Sequence, residues 1–118
     1  MNVETIRDYC LSKNAVTECM PFDDNTLVFK VLDKMFLLLN LDGELSIIIK
    51  CQPEKAIELR EQYPAVLPGY HMNKKHWNMV MIDGSLSNEL IHSFIDESYH
   101  LVISGLSKQQ KQQLIENQ

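Results

Sequence analysis

The run Pro68-Gly69-Tyr70-His71-Met72-Asn73-Lys74-Lys75-His76-Trp77-Asn78 concentrates the chemistry of this chain. Its eleven residues hold two lysines, two histidines, two asparagines, a tyrosine and the sole tryptophan. Lysine and histidine can meet phosphate oxygens, while tyrosine and tryptophan can stack on bases or pack on sugars. A hairpin with a basic tip would therefore act as a wing against a nucleic-acid backbone. The plainer reading is a solvated turn with Trp77 in the core, because charged turns are ordinary surface features and tryptophan mostly packs inward.

Other constellations are weaker. Zinc usually takes three or four ligands at recognisable spacing. His71, His76 and Cys51 would converge only through folding, and His92 and His100, eight apart, are rotated by about 80° on a helix. Cys10 and Cys51 fall on apolar faces and read as small buried hydrophobes. Cys19 lies in a loop-like stretch without the motif of a cysteine enzyme, and a reactive thiol needs an electropositive neighbour. Asp23-Asp24 is turn chemistry, and adjacent Asp96 and Glu97 do not face each other on a helix. Glu4, Asp8 and Glu18 form an acidic face that hard cations would bind weakly, with a solvated helix surface the simpler reading. The glycines belong mainly to turns and caps, and none forms a phosphate-binding loop. No catalytic constellation, cofactor or resident metal is expected, and the chain reads as a binding module rather than an enzyme. A ligand pocket, if present, would involve His71, His76, Trp77 and Cys51.

Composition bounds these readings. The chain has 118 residues, 45% of them hydrophobic and 23% charged, as expected for one domain over 1–118. Its net charge is −5, with a pI near 5.3. An acidic average disfavours anionic membrane surfaces and weakens nonspecific nucleic-acid binding, yet leaves room for a local basic patch. Three cysteines at 10, 19 and 51 form no CxxC. The first residues lack a basic and apolar leader, and the longest apolar run, Met35 to Leu39, is too short to span a bilayer. Reduced thiols, a cytoplasmic location and a monomer without a membrane partner are the expectations.

The elements that must position the wing follow from periodicity. Val3, Ile6 and Cys10 predict a helix over 3–12, capped by Asn2. Residues 13–26 read as loop. Alternation then predicts strands over 27–31, 34–40 and 45–51, turning at Leu32-Asp33 and Asp42-Gly43, as a meander with one buried face. Pro53 opens a second helix that Pro64 stops. Residues 65–69 read as irregular, and Tyr70–Met72 and Trp77–Ile82 as a hairpin around 73–76. Ser87 caps a long helix over 88–104 with Gly105 beyond it, and Ser107 with Gln110 forms the capping box of a polar last helix. This order predicts an α+β fold: an antiparallel sheet of about five strands with helices on one side.

Several fragments, in order, resemble the MmcQ/YjbR family. They are Met20-Pro21-Phe22 after the first helix, Lys34-Met35-Phe36, Ile49-Lys50-Cys51 with Pro53-Glu54, the string PGYHMNKKHW at 68–77, and Ser98-Tyr99-His100-Leu101-Val102. The resemblance runs from about Val3 to Leu114. It implies a CyaY-like fold and double-stranded DNA as partner through a double-wing arrangement. Carried onto this chain, the contacts would come from Tyr70, His71, Asn73, Lys74, Lys75 and His76, with Lys34 and Lys50 nearby in the sheet. The likeness of that fold to frataxin implies iron binding by Glu4 and Asp8 as a lesser alternative. A protein-interaction module without nucleic acid is the main alternative, marked by an exposed apolar patch.

Overall fold

The structure, a computed structural model, describes residues 1–69 and 72–117. Helix α1 (Val3–Leu11) leads to strands β1 (Val16–Cys19), β2 (Thr26–Val31), β3 (Lys34–Asn40) and β4 (Ser46–Lys50). Helix α2 (Pro53–Gln62) connects to β5 (Val66–Pro68) and β6 (Trp77–Met81), and α3 (Asn88–Ser104) and α4 (Lys108–Glu116) follow. The strands form one six-stranded sheet in the order β1-β2-β3-β4-β6-β5. Every neighbouring pair is antiparallel. The α+β class and the one-sided helices agree with the sequence reading.

Two strands differ from it. The stretch read as loop contains β1, whose Val16–Cys19 pair with Val31–Val28. Its four residues sit between turn-formers and are held by pairing with β2, which local pattern does not reveal. The stretch read as irregular contains β5, Val66–Pro68, which pairs with β6; of the expected strand Tyr70–Met72, Tyr70 and His71 lie outside the described residues. Pro68 is tolerated because β5 is an edge strand.

Caps stand where the sequence placed them. Asn2 accepts from the Thr5 amide, Ser87 from Leu90, and Ser107 with Gln110 closes a capping box. Gly105 ends α3 in a right-handed conformation, φ −89°, rather than the left-handed one. At the β2–β3 turn, Leu32 and Asp33 both have positive φ, 46° and 67°, the backbone that a two-residue hairpin needs to match the strand twist.

Helices α1, α2 and α3 cover one sheet face. Ile6 and Cys10 of α1, Ala56 and Leu59 of α2, and Ile91, Phe94, Ile95 and Val102 of α3 pack on Phe29, Val31, Leu37, Leu39, Ile47, Ile49 and Val80. Burying each larger side chain contributes roughly 1.5–3 kcal/mol. The register shifts between Phe29 and Lys30, leaving Phe36 as an extra residue in β3, so Phe36 and Leu37 both face the helices. The β3–β4 ladder stops at Leu37 opposite Ile49. Beyond it, the fully buried Ser98 of α3 stands between the two strands. Its hydroxyl accepts from the Lys50 amide at 2.8 Å and donates to the Phe36 carbonyl.

The meander was expected to bury one face. The opposite face also carries buried residues, Val28, Leu38 and Trp77. Strand pairing aligns Cys19, Val28, Leu38, Ile48, Met79 and Leu67 as one apolar row across all six strands.

A polar contact fixes α1 to α3. Tyr9 donates to Asp96 at 2.7 Å, Lys13 pairs with the same carboxylate oxygen, and His92 stacks on the Tyr9 ring at 3.9 Å. Partial burial raises the Asp96 pKa, but hydrogen bonds from Lys13 and Tyr9 and the Lys13 charge outweigh it, so the net shift is downward. Burial and the bond to Asp96 push the Tyr9 hydroxyl up to about 12. No helix among the described residues is long and apolar enough to cross a membrane.

Two outcomes follow. Ser98→Ala strands the part-buried Lys50 amide and the buried Phe36 carbonyl, so chemical denaturation will report a loss of about 1–3 kcal/mol. Because the folded Asp96 pKa is lowered, its stabilisation is full above the unfolded value and lost as pH falls through the folded one. The gap in thermal midpoint between wild type and Asp96→Asn will therefore be widest near neutrality and close below about pH 4.

Candidate functional site

The strand register gathers the sequence-predicted cations. Lys34 opens β3, Lys50 ends β4 and is paired with Trp77 at the start of β6, and residues 72–76 immediately precede Trp77. Antiparallel pairing places these points at the same end of the sheet. Lys34, Lys74 and Lys75 are exposed, and Lys50 and His76 are half-buried. The described connections at that end (12–15, 32–33, 51–52, 69, 72–76 and 105–107) contain a single carboxylate, Asp33, with Glu54 following in the first turn of α2.

The wing turn is held from several directions. The Lys75 amide donates to the Asn73 side chain at 2.9 Å, so Asn73 is committed to shaping the turn. The His76 and Trp77 amides both donate to the Asn73 carbonyl, and the His76 carbonyl accepts from Cys51 at 2.7 Å. The Gly69 amide donates to the Trp77 carbonyl at 3.0 Å. A Cβ at Gly69 would meet that carbonyl at 2.8 Å, so the close approach requires glycine. From below, Arg60 of α2 donates to the Lys74 carbonyl and the Asn78 side chain, each at 3.0 Å, and buried Asn78 donates to the Ala56 carbonyl. Arg60 was not among the candidate residues of the sequence reading. Its role depends on the crossing of α2 under β6, and no local signal carries that.

Trp77 is 9% exposed, and the Lys50 ammonium lies over its ring at 6.0 Å. The indole is a buried platform under a cation, not a free surface for base stacking. Beside it, Lys34, Met35, Lys50, Val102 and Gly105 line a cleft of about 280 Å³. The cleft lies where Ser98 interrupts the β3–β4 ladder and α3 ends. Its volume falls just under the roughly 300–1,000 Å³ of small-molecule pockets.

The other candidates take structural places. Burial pushes the Cys10 thiol up to about 12 and the Cys51 thiol up to about 11, both far from a nucleophilic thiolate. Arg7 engages both Glu18 carboxylate oxygens, at 2.7 and 2.6 Å, and that bond and charge raise its own pKa. The pairing takes Glu18 out of the acidic face read near the first helix. Among the described residues no group of three or more His, Cys, Asp or Glu is arranged to hold a metal ion.

Carboxylates collect at the opposite end of the sheet. The connections 20–25, 41–45 and 82–87 contain Asp23, Asp24, Asp42, Glu44 and Asp83 and no lysine or arginine. They are neighbours in space: the Leu41 amide donates to the Asn25 carbonyl at 2.7 Å, and Ile82 to Leu45 at 2.9 Å.

Comparisons with known proteins place this geometry. The chain is 37% identical over 112 residues to the protein YbdF of Escherichia coli O157:H7, covering 94% of this chain and 92% of the relative. It is 29% identical over 117 residues to YjbR of Escherichia coli K12, covering 98% and 99%. The crystal structure of Deinococcus radiodurans protein DR2400, a DUF419 domain, superposes with a TM-score of 0.89 at 39% identity over 96% of this chain and 87% of that one. A Pseudomonas syringae protein superposes at 0.76 with 32% identity over 86% and 98%. The model of the YjbR family matches residues 11–101, and the chain belongs to that family.

Proposed function

We propose that this protein is a binding module that meets the phosphate backbone of double-stranded DNA with the cationic end of its sheet. One observation carries the reading: strand register brings Lys34, Lys50, Lys74, Lys75 and His76 together from distant parts of the chain. The net charge of −5 does not oppose it locally, because five carboxylates occupy connections at the other end. The buried Trp77 turns the reading toward backbone contact without base stacking. Such contact is independent of sequence and releases counterions. Lys34 and Lys50 flank the cleft while Lys74 and Lys75 form the tip, and nothing in this division calls for catalysis.

A second reading, a protein-interaction module without nucleic acid, is favoured by the apolar row on the helix-free face, where Ile48 and Met79 are only half-buried. The two readings part in one titration. If the cationic end meets about three phosphates, the affinity for a labelled random duplex, read by fluorescence anisotropy, will fall roughly 40-fold between about 50 and 200 mM salt. Lys74→Glu with Lys75→Glu will weaken binding at the lower salt and flatten that dependence by about one unit of log–log slope per lysine, with an unchanged thermal midpoint. Absence of binding at the lower salt removes the nucleic-acid reading and leaves the apolar row as the functional surface.

A further inference from the structure

The acidic end carries more than charge. Met20, Phe22 and Leu41 are large apolar side chains exposed at 43%, 61% and 40%, in the same connections as Asp23, Asp24, Asp42 and Glu44. The Leu41–Asn25 backbone bond joins the two connections, so Phe22 belongs to an apolar tip bordered by carboxylates. The other end of the molecule offers the converse shape. Its cleft has Met35 and Val102 as apolar lining and Lys34 and Lys50 as cationic sides, with a volume of about 280 Å³. That volume suits one aromatic side chain better than a cofactor-sized ligand.

We propose that copies of this protein associate head to tail, the Phe22 tip of one seated in the Lys34–Lys50 cleft of the next. The carboxylates of Asp23 and Asp24 then face Lys34 and Lys50, and the phenyl ring leaves water against Met35 and Val102. The contact joins two different surfaces of the same chain, so a two-fold pair does not satisfy it: each added copy leaves one tip and one cleft for the next. The interface is small and charged, so the association is weak and reversible. It goes beyond the nucleic-acid reading and needs no nucleic acid, although both would draw on Lys34 and Lys50. Salt acts on it in a defined way. At about 0.1 M the Debye length is about 10 Å, which screens the mutual repulsion of two acidic molecules but not ion pairs in contact. The molecule measures 40 × 31 × 27 Å, so copies stacked end to end have centres well beyond that length.

Sedimentation equilibrium of the full chain tests the proposal. The weight-average mass of wild type is expected to climb with concentration beyond twice the monomer value at about 0.1 M salt, and to fall back toward monomer at about 1 M. Phe22→Ser/Asp23→Asn/Asp24→Asn lacks the tip, and Lys34→Gln/Lys50→Gln lacks the cationic sides. Each will remain monomeric alone, while an equimolar mixture will form a complex that stops at two chains, since one intact tip meets one intact cleft. These substitutions fall on exposed or half-buried side chains, so folding is retained and is checked by thermal melting. A wild type that stays monomeric at the lower salt overturns the proposal. So does either variant that still associates by itself, which would reveal a symmetric contact such as one through the apolar row.

Discussion

A single hydroxyl sets the geometry on which the cationic end depends. Ser98 lies with its side chain between the Phe36 carbonyl and the Lys50 amide, fully buried, and completes hydrogen bonds that β3 and β4 do not make to each other there. Leaving either group unpaired in the core would cost about 1–3 kcal/mol, so α3 is held in this register and at this depth. The bulge at Phe36 is the other half of the device. It turns two successive large side chains toward the helices and lets the strands part. Where they part, the buried Val102, one turn beyond Ser98, and the exposed Gly105 line the cleft beside Lys34 and Lys50. The cleft is thus a consequence of how the long helix is docked.

Charge is organised along the same axis. The formal charge of −5 is an average over a molecule whose sheet ends differ in sign. Screening makes that separation matter, because at physiological salt a charge is felt over about 8 Å. A phosphate or a carboxylate approaching the Lys74–Lys75 turn therefore meets local cations rather than the distant carboxylates. The turn is stiffened by Arg60 beneath it, by Asn73 within it and by the close contact of Gly69 with Trp77. Ordering the turn beforehand lowers the entropic cost of using it in recognition.

Much of this was legible in the sequence where the cause is local. Helix ends followed from Asn2, Ser87 and Ser107, whose side chains hydrogen-bond within three residues. The alternation over 27–31, 34–40 and 45–51, with turns at Leu32-Asp33 and Asp42-Gly43, predicted β2, β3 and β4. What failed to show depends on distant partners. Strand β1 is defined by pairing with β2, and β5 ends in a proline that pattern reading takes as irregular. Ser98 stood in the sequence only as part of the Ser98–Val102 fragment, since its partners at Phe36 and Lys50 are remote in sequence. The opposition of acidic and basic ends is a property of strand order, and composition reported only their sum.

We propose the cationic end of the sheet as the surface that meets phosphate. Backbone amide shifts of the isotopically labelled protein, followed by NMR while an unlabelled DNA duplex is added at low salt, test it most directly. Shifts are expected at Lys34, Lys50, Lys74–Trp77 and Val102–Gly105, with the Asp23, Asp42 and Asp83 connections unmoved. Shifts centred on the acidic connections or along the Val28–Leu38–Ile48 row, or no shifts at all, would contradict it.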